Sequence, residues 1–418
     1  MEEVLTSKTK TRVLLLTQWF DPEPTLKGLV FARELVRQGF DVEVVTGFPN
    51  YPGGKVYPGY RIKWIQRERI DGVDITRLPL YPNHDQSAIK RVVNYVSFAA
   101  SALFYGVFMV KRADVMYAYH PPLTVGIAAA LIRWIRHIPL VYDIQDMWPD
   151  TLRATGMLNN PRALAIVGRV CDWVYRRVDQ IVVLSPGFKR LLVQRHVPES
   201  KIEVIYNWAD ESALMAPVGS LPENFPGGDR FKIVFAGNMG KAQSLDALLD
   251  AALILQARGS RVCFVMLGGG VEVGGLKART KELALNNVVF FPPVPMAEVG
   301  TLLGAADALL VHLRKDPLFE ITIPSKTQAY MAVGKPLLMA VNGDAAKLVK
   351  QSNSGLTAES ESPYALADAA LRLADMPTSE LEAMGIRANQ FYQEQLGLVV
   401  GASKFGVIFK ALVNRAKG

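Results

Sequence analysis

Short apolar runs along this chain alternate with longer stretches in which apolar positions return every three or four residues. Alternating or continuous apolarity over a few residues marks a strand, and the wider spacing marks a helix. In the first half, residues 13–17 and 42–46 predict strands around a helix over 30–38. Strands at 115–118 and 140–144 then flank a helix over 123–136, and a helix near 163–177 precedes a strand at 180–184. The second half begins the series again, with strands at 232–236, 262–267, 288–291, 307–312 and 336–341 and a helix near 245–257. Strand, helix, strand, repeated, predicts α/β domains built on parallel sheets covered on both faces. A polar, Gly- and Pro-rich stretch from residue 206 to 228 reads as an interdomain hinge, giving domains at 1–208 and 209–418. A closing helix over 403–416 is free to pack on either domain. Ligands of such sheets lie at the loops after the strands' C-terminal ends, here those after residues 17, 118, 144, 236, 267 and 312.

At 418 residues, 50% hydrophobic and 21% charged, the chain has the make-up of a folded protein with room for two cores. Cys171 and Cys263 stand far apart and outside any paired spacing. That argues against a disulfide framework or a structural zinc and for a reducing compartment. The opening MEEVLTSKTKTR is polar, with no apolar signal segment, so a cytoplasmic location is expected. The net charge of +8 is uneven: residues 1–208 hold 27 Lys and Arg against 19 Asp and Glu, residues 209–418 hold 20 against 20. The first half is therefore expected to meet something anionic: a membrane surface, a phosphorylated acceptor or nucleic acid. Its basic residues are scattered among helices without a recognition motif, which argues against nucleic acid.

Residues 89–112, IKRVVNYVSFAASALFYGVFMVKR, form a mostly uncharged run bracketed by Lys90, Arg91, Lys111 and Arg112. A minimal transmembrane helix has this length. Asn94, Tyr95, Ser97 and Ser101 dilute it, however, and strands lie on both sides. It reads as a helix covering the first sheet, with contact to an anionic membrane surface or a true span as competing readings.

The most informative chemistry lies in FEITIPSKTQAYMAVGKP, residues 319–336. Pro324 predicts a helix start, and Gly334 with Pro336 its end near residue 333. The N–H groups of Thr322, Ile323, Ser325 and Lys326 would point out of that start and, with the Lys326 ammonium, make a seat for a diphosphate. Glu320 stands just before the seat, within reach of a sugar hydroxyl. Gln328 stands beyond it, within reach of a ribose hydroxyl. The pattern reads as a nucleotide-sugar site, and ordinary helix punctuation beside a solvated Glu320 is the competing reading.

Other strand exits carry further candidates. In DIQDMWPD, Asp146 sits where Trp148 and Pro149 would desolvate it and raise its pKa toward that of a base. A cap for the following helix is the alternative. His120, in AYHPPLT, is a second acid/base candidate or a hydrogen-bond donor to the transferred group's phosphate, unless it is structural. Lys27 and Gly28, in DPEPTLKG, permit close approach of an anion, although the spacing is not that of a dinucleotide fingerprint. Lys241, in AGNMGKAQS, faces the diphosphate from the other side, and Gly268, Gly269 and Val294 are expected at the nucleoside. No acidic residue closes a following strand as a ribose binder, which argues against NAD(P).

In order and spacing, LTQWFDPEPTLKG, FPNYPGGKVYPGY, HPPLTVG, DIQDMWPD, IYNWADE, AGNMGKAQSLDALLDAA and the PSK helix resemble glycosyltransferase family 4, retaining enzymes of the GT-B fold. The likeness runs over nearly the whole chain. It is greatest to the N-acetyl-fucosamine transferase-like subgroup, which adds sugars to undecaprenyl-diphosphate-linked acceptors in O-antigen and capsule synthesis. It implies two Rossmann-like parallel-sheet domains facing across a cleft, the first binding acceptor and the second nucleotide-sugar. The family's E-x7-E pair reads Glu320-x7-Gln328 here, so the resemblance gives Glu320 the donor sugar's hydroxyls and Gln328 the ribose. Asn238 and Gln243 stand where the family has Arg and Lys, which leaves Lys241 and Lys326 as diphosphate cations. Gln145 or Asp146 replaces the family's histidine after residue 144.

The implied activity is transfer of an N-acetylated hexosamine or deoxyhexosamine from a UDP-sugar to a polyprenyl-diphosphate-linked saccharide. It needs no metal or cofactor and takes place at the inner face of the cytoplasmic membrane. Asp146 would orient the acceptor or steady the oxocarbenium charge. A UDP-sugar 2-epimerase of the same fold and a non-catalytic nucleotide-sugar-binding protein are the alternatives, and the PSK helix disfavours the first.

Overall fold

The computed structural model describes residues 10–83, 88–215 and 219–417 and divides into two compact units. The first contains the described residues up to Leu184, Phe188–Ile205 and the closing helix Leu398–Lys417. The second contains Ser185–Gly187 and Tyr206–Gly397. The polar residues 1–9, and 216–218 of the stretch read as a hinge, lie outside the described residues.

The first unit is built on eight strands: β1 (Arg12–Leu16), β2 (Asp41–Gly47), β3 (Gln66–Ile70), β4 (Val73–Leu78), β5 (Val115–Tyr119), β6 (Leu140–Ile144), β7 (Gln180–Val183) and β8 (Ile202–Val204). Their order is β3-β4-β2-β1-β5-β6-β7-β8. The central strands read as continuous apolar runs because both faces are covered: RVLLL in β1 pairs in parallel with DVEVVTG in β2 and VMYAY in β5. One pair departs from the parallel pattern predicted. β3, QRERI, is an edge strand antiparallel to β4, with Ile70 opposite Val73. Asp71 and Gly72 make the two-residue connection, and both have positive φ, 50° and 85°, as a turn that follows the strand twist requires. The alternating charges of β3 hide it from a search for apolar runs.

Helix Ala88–Phe108 packs on helix Leu123–Arg136, and Gly106 leaves room for the Ile132 side chain. Phe98, Ala102 and Tyr105 are buried beneath it, so it covers the sheet as the first of its three readings expects. By length and composition it could also cross a membrane, as could the stretch Thr378–Lys417. The closing helix belongs to the first unit: the Phe405 ring lies 5.3 Å from Phe31 and 5.4 Å from Tyr117, and Phe409 lies 6.0 Å from Phe40.

The second unit has six parallel strands: β9 (Phe231–Ala236), β10 (Val262–Leu267), β11 (Val288–Phe291), β12 (Ala308–His312), β13 (Leu337–Ala340) and β14 (Gly355–Thr357), in the order β11-β10-β9-β12-β13-β14. Alternate side chains enter two cores. Ile233, Phe235, Phe264 and Met266 join one, while Val234, Val265 and Leu267 join the other with Tyr330 and Met339.

The aromatic group at Phe405 generates a stability test. Phe405→Ala empties a fully buried site and is expected to cost about 3–5 kcal/mol. Urea unfolding followed by circular dichroism checks it, and a loss below about 1 kcal/mol would contradict the packing described.

Candidate active site

The C-terminal ends of β9, β12 and β13 bear most of the residues expected at a nucleotide-sugar. Helix Ser325–Val333 starts one residue later than predicted. Pro324 precedes it in extended conformation, and it stops at Gly334, whose φ of 75° is left-handed. No side chain caps its start. Among the described residues, the N–H groups of Ile323, Ser325 and Lys326 make no hydrogen bond, as the first donors of a helix require a partner from outside. Thr322 does not join them. Its N–H donates to the Phe319 carbonyl at 3.2 Å and its hydroxyl to the Leu318 carbonyl at 2.7 Å, so the turn before the helix uses both.

Tyr330 fixes this helix to the sheet by accepting the Ala236 N–H at 2.9 Å. Lys326 lies over the Phe235 ring, with Nζ 3.4 Å from its centroid, and against Gly237. It has no ion pair among the described residues, and desolvation lowers its pKa to about 7. A ring face replaces only part of the water an ammonium loses. A desolvated amine on a helix start whose three N–H groups lack partners among the described residues has the electrostatics that favour an anion.

His312, buried at the end of β12, has Nδ1 2.6 Å from the Gln243 carbonyl, and the Arg314 N–H donates to Ala242 at 2.9 Å. These bonds hold the turn Lys241–Gln243 at the strand end, with Lys241 exposed and without an ion pair among the described residues. Asn238 is exposed beside it. Gln243 closes its own turn, its Oε1 accepting the Gly240 N–H at 3.0 Å. Burial lowers the His312 pKa, and its Nε2 has no partner among the described residues. The strand ending at His312 was legible, but the histidine's part in holding this turn was not.

Glu320 ends the short helix Pro317–Glu320. It is half-buried, and its carboxylate makes no hydrogen bond or ion pair among the described residues. Its backbone carbonyl packs against Gly343, beyond β13. Gln328 departs from expectation: it is 1% exposed, and in the orientation that satisfies its neighbours its amide nitrogen donates to the carbonyls of Pro324 at 2.8 Å and Ser325 at 3.2 Å. This bond to its own helix start stands in place of the predicted ribose contact.

Gly268 is demanded by the backbone, and Gly269 takes part there through its carbonyl. The Gly237 N–H donates to Leu267 at 2.8 Å and the Met239 N–H to Gly269 at 2.7 Å, so the exits of β9 and β10 run together. Gly268 has φ of 138°, and a Cβ there would overlap the Gly237 carbonyl. Val294 is half-buried against the core of this unit.

In the first unit, Asp146 follows β6 half-buried, with a carboxylate that makes no hydrogen bond among the described residues. Desolvation raises its pKa. It does not cap helix Asp150–Ala154, which follows Pro149 without a side-chain cap. Gln145 instead donates to Asp143 Oδ1 at 2.6 Å. Asp143 is fully buried, ion-paired with Lys27, and accepts the Tyr117 hydroxyl at 2.6 Å. Lys27 is thus an internal counter-charge and not an approach for an anion. Gly28 is corrected with it. Gly28 is buried, the Leu29 N–H donates to Asp21 Oδ2 at 2.6 Å, and a Cβ on Gly28 would overlap that carboxylate. The chain's own carboxylate therefore fills the seat at that helix start.

His120 is buried edge-on to Trp148, 5.4 Å between ring centroids, and burial lowers its pKa to about 3. At neutral pH it is uncharged and a weak base, so the acid/base role is withdrawn and a neutral hydrogen-bonding role fits.

Glu23 escaped the sequence patterns. Its buried carboxylate accepts the N–H groups of Asn50 and Tyr51, each at 2.7 Å, and of Phe20 at 3.2 Å, and burial raises its pKa to about 7. It ties the loop after β1 to the loop after β2, where Trp19 stacks on Tyr51 at 4.6 Å. Among the described residues no group of three or more His, Cys, Asp or Glu is arranged to hold a metal ion.

Residues 29–208 match the family described as glycosyl transferase 4-like domain, and residues 230–376 the family described as glycosyl transferases group 1. The chain is 24% identical over 316 residues to WbjE of Pseudomonas aeruginosa, named as a glycosyltransferase, covering 73% of this chain and 77% of that protein. It is 25% identical over 315 residues to WcaI of Escherichia coli K12, named for colanic acid biosynthesis, covering 72% and 75%. Anabaena HepE, whose crystal structure holds UDP-glucose, superposes with a TM-score of 0.65 at 15% identity over 96% of this chain and 99% of that one. With two parallel-sheet units, each matched by the corresponding family half, the chain belongs to glycosyltransferase family 4, with the GT-B fold.

Proposed function

We propose that this glycosyltransferase moves an N-acetylated hexosamine or deoxyhexosamine from a UDP-sugar to a polyprenyl-diphosphate-linked saccharide in cell-surface polysaccharide synthesis. It would do so without a metal, as a cytoplasmic protein at the inner face of the cytoplasmic membrane. The observation that carries the reading is the helix start at Ser325, where three N–H groups and the Lys326 amine, all without a partner among the described residues, follow a Glu320 carboxylate equally without one. The UDP-glucose complex of HepE supports the donor class, and the name of WcaI supports the pathway.

The donor's diphosphate sits on the N–H groups of Ile323, Ser325 and Lys326, with the charges of Lys326 and Lys241. Donors fixed before the reaction stabilise the leaving charge without reorganising. Glu320 accepts hydrogen bonds from the donor sugar's hydroxyls and sets its position. The acceptor hydroxyl attacks on the face from which the diphosphate departs. As the sugar–phosphate bond breaks and the new glycosidic bond forms, the hydroxyl proton passes to the departing phosphate oxygen, and configuration is retained. Asp146 orients the acceptor.

Release of UDP from a panel of UDP-sugars in the presence of a lipid-diphosphate acceptor is expected, and no release with any donor would sink the reading. Glu320→Ala removes a hydrogen bond to a charged acceptor worth about 1.5–3 kcal/mol, a loss of roughly 10- to 150-fold in kcat/KM. Binding of UDP itself should survive that change. If the variant turns over like the parent, Glu320 does not hold the sugar.

Lys326 predicts a pH dependence. Its pKa in the free protein is about 7, so above that pH the diphosphate must draw a proton onto the amine as it binds. Affinity for UDP-glucose should therefore fall as pH rises above about 7, by at most roughly tenfold per pH unit, and Lys326→Met should flatten the profile. Isothermal titration between about pH 6 and pH 9 checks it, and a flat profile in the parent overturns the assignment.

A further inference from the structure

A helix lying on a sheet ordinarily turns a polar face to water. Helix Ala88–Phe108 turns an apolar one. Ile89, Val92, Val96, Phe104 and Phe108 follow one another at helical spacing on its outer side and are 45% to 78% exposed. Trp64, 66% exposed, widens the stripe: its ring lies 5.8 Å from that of Phe104, which lies 5.2 Å from Phe108. No charged residue occurs between Arg91 and Lys111. Lys90 is exposed at one end of the stripe, Lys111 at the other and Lys63 beside Trp64. An apolar strip rimmed by cations complements an anionic bilayer, where rings enter the acyl boundary and ammonium groups reach lipid phosphates.

The inner side of the same helix leads to the acceptor edge. Gln18, just after β1, donates to Asn94 Oδ1 at 2.6 Å. Asn94 donates in turn to the Tyr81 carbonyl at 2.7 Å and to Asn50 Oδ1 at 3.3 Å, in the loop that Glu23 grips. The outward stripe is therefore continuous, through one side chain, with the loops at the C-terminal edge of the first sheet.

We propose that helix Ala88–Phe108 docks flat on an anionic bilayer through this stripe, with Trp64 and the rim lysines taking part. The purpose of docking rests on the proposed lipid-linked acceptor, but docking itself is measured without any substrate. The full chain should co-sediment with phosphatidylcholine vesicles containing phosphatidylglycerol and far less with phosphatidylcholine alone, and salt should weaken the binding. Phe104→Glu with Phe108→Glu should lower the partition on the order of tenfold, and Lys63→Ala with Lys111→Ala should remove the preference for phosphatidylglycerol. Circular dichroism, UDP-glucose binding and transfer to a water-soluble short-chain acceptor should match the parent in both variants. Equal sedimentation of the parent and the Phe104/Phe108 variant would overturn the proposal. So would a dimer in size-exclusion chromatography that this variant dissociates, if the parent ignores vesicles. Docking that persists while no donor is turned over would sink the proposed reaction and leave the surface intact.

Discussion

A lysine taken out of water must be given a counter-charge or surrender its proton, and the two units meet this constraint in opposite ways. In the first, Lys27 is buried against Asp143, which also accepts from Tyr117 and Gln145, with the Phe405 ring 5.0 Å from the ammonium. The charge of this pair is answered within the protein, and the strand exits it joins are held together. In the second, Lys326 is given a ring and, among the described residues, no carboxylate. An anion from outside would restore its full charge, so the helix start at Ser325 is electrostatically incomplete among the described residues. Glu320, beside it in sequence, is incomplete in the opposite sense.

Where covering elements on both faces exclude water, sequence and structure agree closely. β5, β6, β10 and β11 needed only continuous apolarity to be seen, and so did helix Leu123–Arg136. β3 could not be seen that way, because an edge strand with charged side chains has no apolar period, although the Asp71–Gly72 pair signalled the turn. The candidate site divides likewise. Glu320 and Lys326 were legible because a proline, a helix and a following glycine are local signals. Gly28 and Gln328 were misread because their surroundings are set by other groups: the Asp21 carboxylate fills one position, and the helix start takes up the amide of the other. Glu23 reaches Asn50 across 27 positions and His312 reaches Gln243 across 69, separations that no motif spans.

The loop after β2 is closely packed at both ends. Tyr57 donates its hydroxyl to the Tyr51 carbonyl at 2.7 Å, and the Arg77 guanidinium lies 4.8 Å from the Tyr60 ring centre. Arg77 is itself buried, bonded to Glu68 and to the Asp21 carbonyl, each at 2.6 Å. The side chains that stiffen this loop thus come from the antiparallel edge hairpin and from the loop after β1, which also supplies Glu23. Changes at that hairpin would be felt in the loop after β2 although none of its residues lies in that loop.

The closing helix has a bearing on how the chain comes to be folded in the cell. Phe31 and Tyr117 emerge early in synthesis, but their ring partners Phe405 and Phe409 come only after the whole of Tyr206–Gly397 has been made. Until then one face of the first sheet lacks its aromatic cover, and Lys27 and Asp143 lack part of the wall that keeps water from them. The second unit has all its own strands before that moment. During translation the half that is made first is therefore the half that is finished last, and the face awaiting the closing helix stays open to water in the meantime.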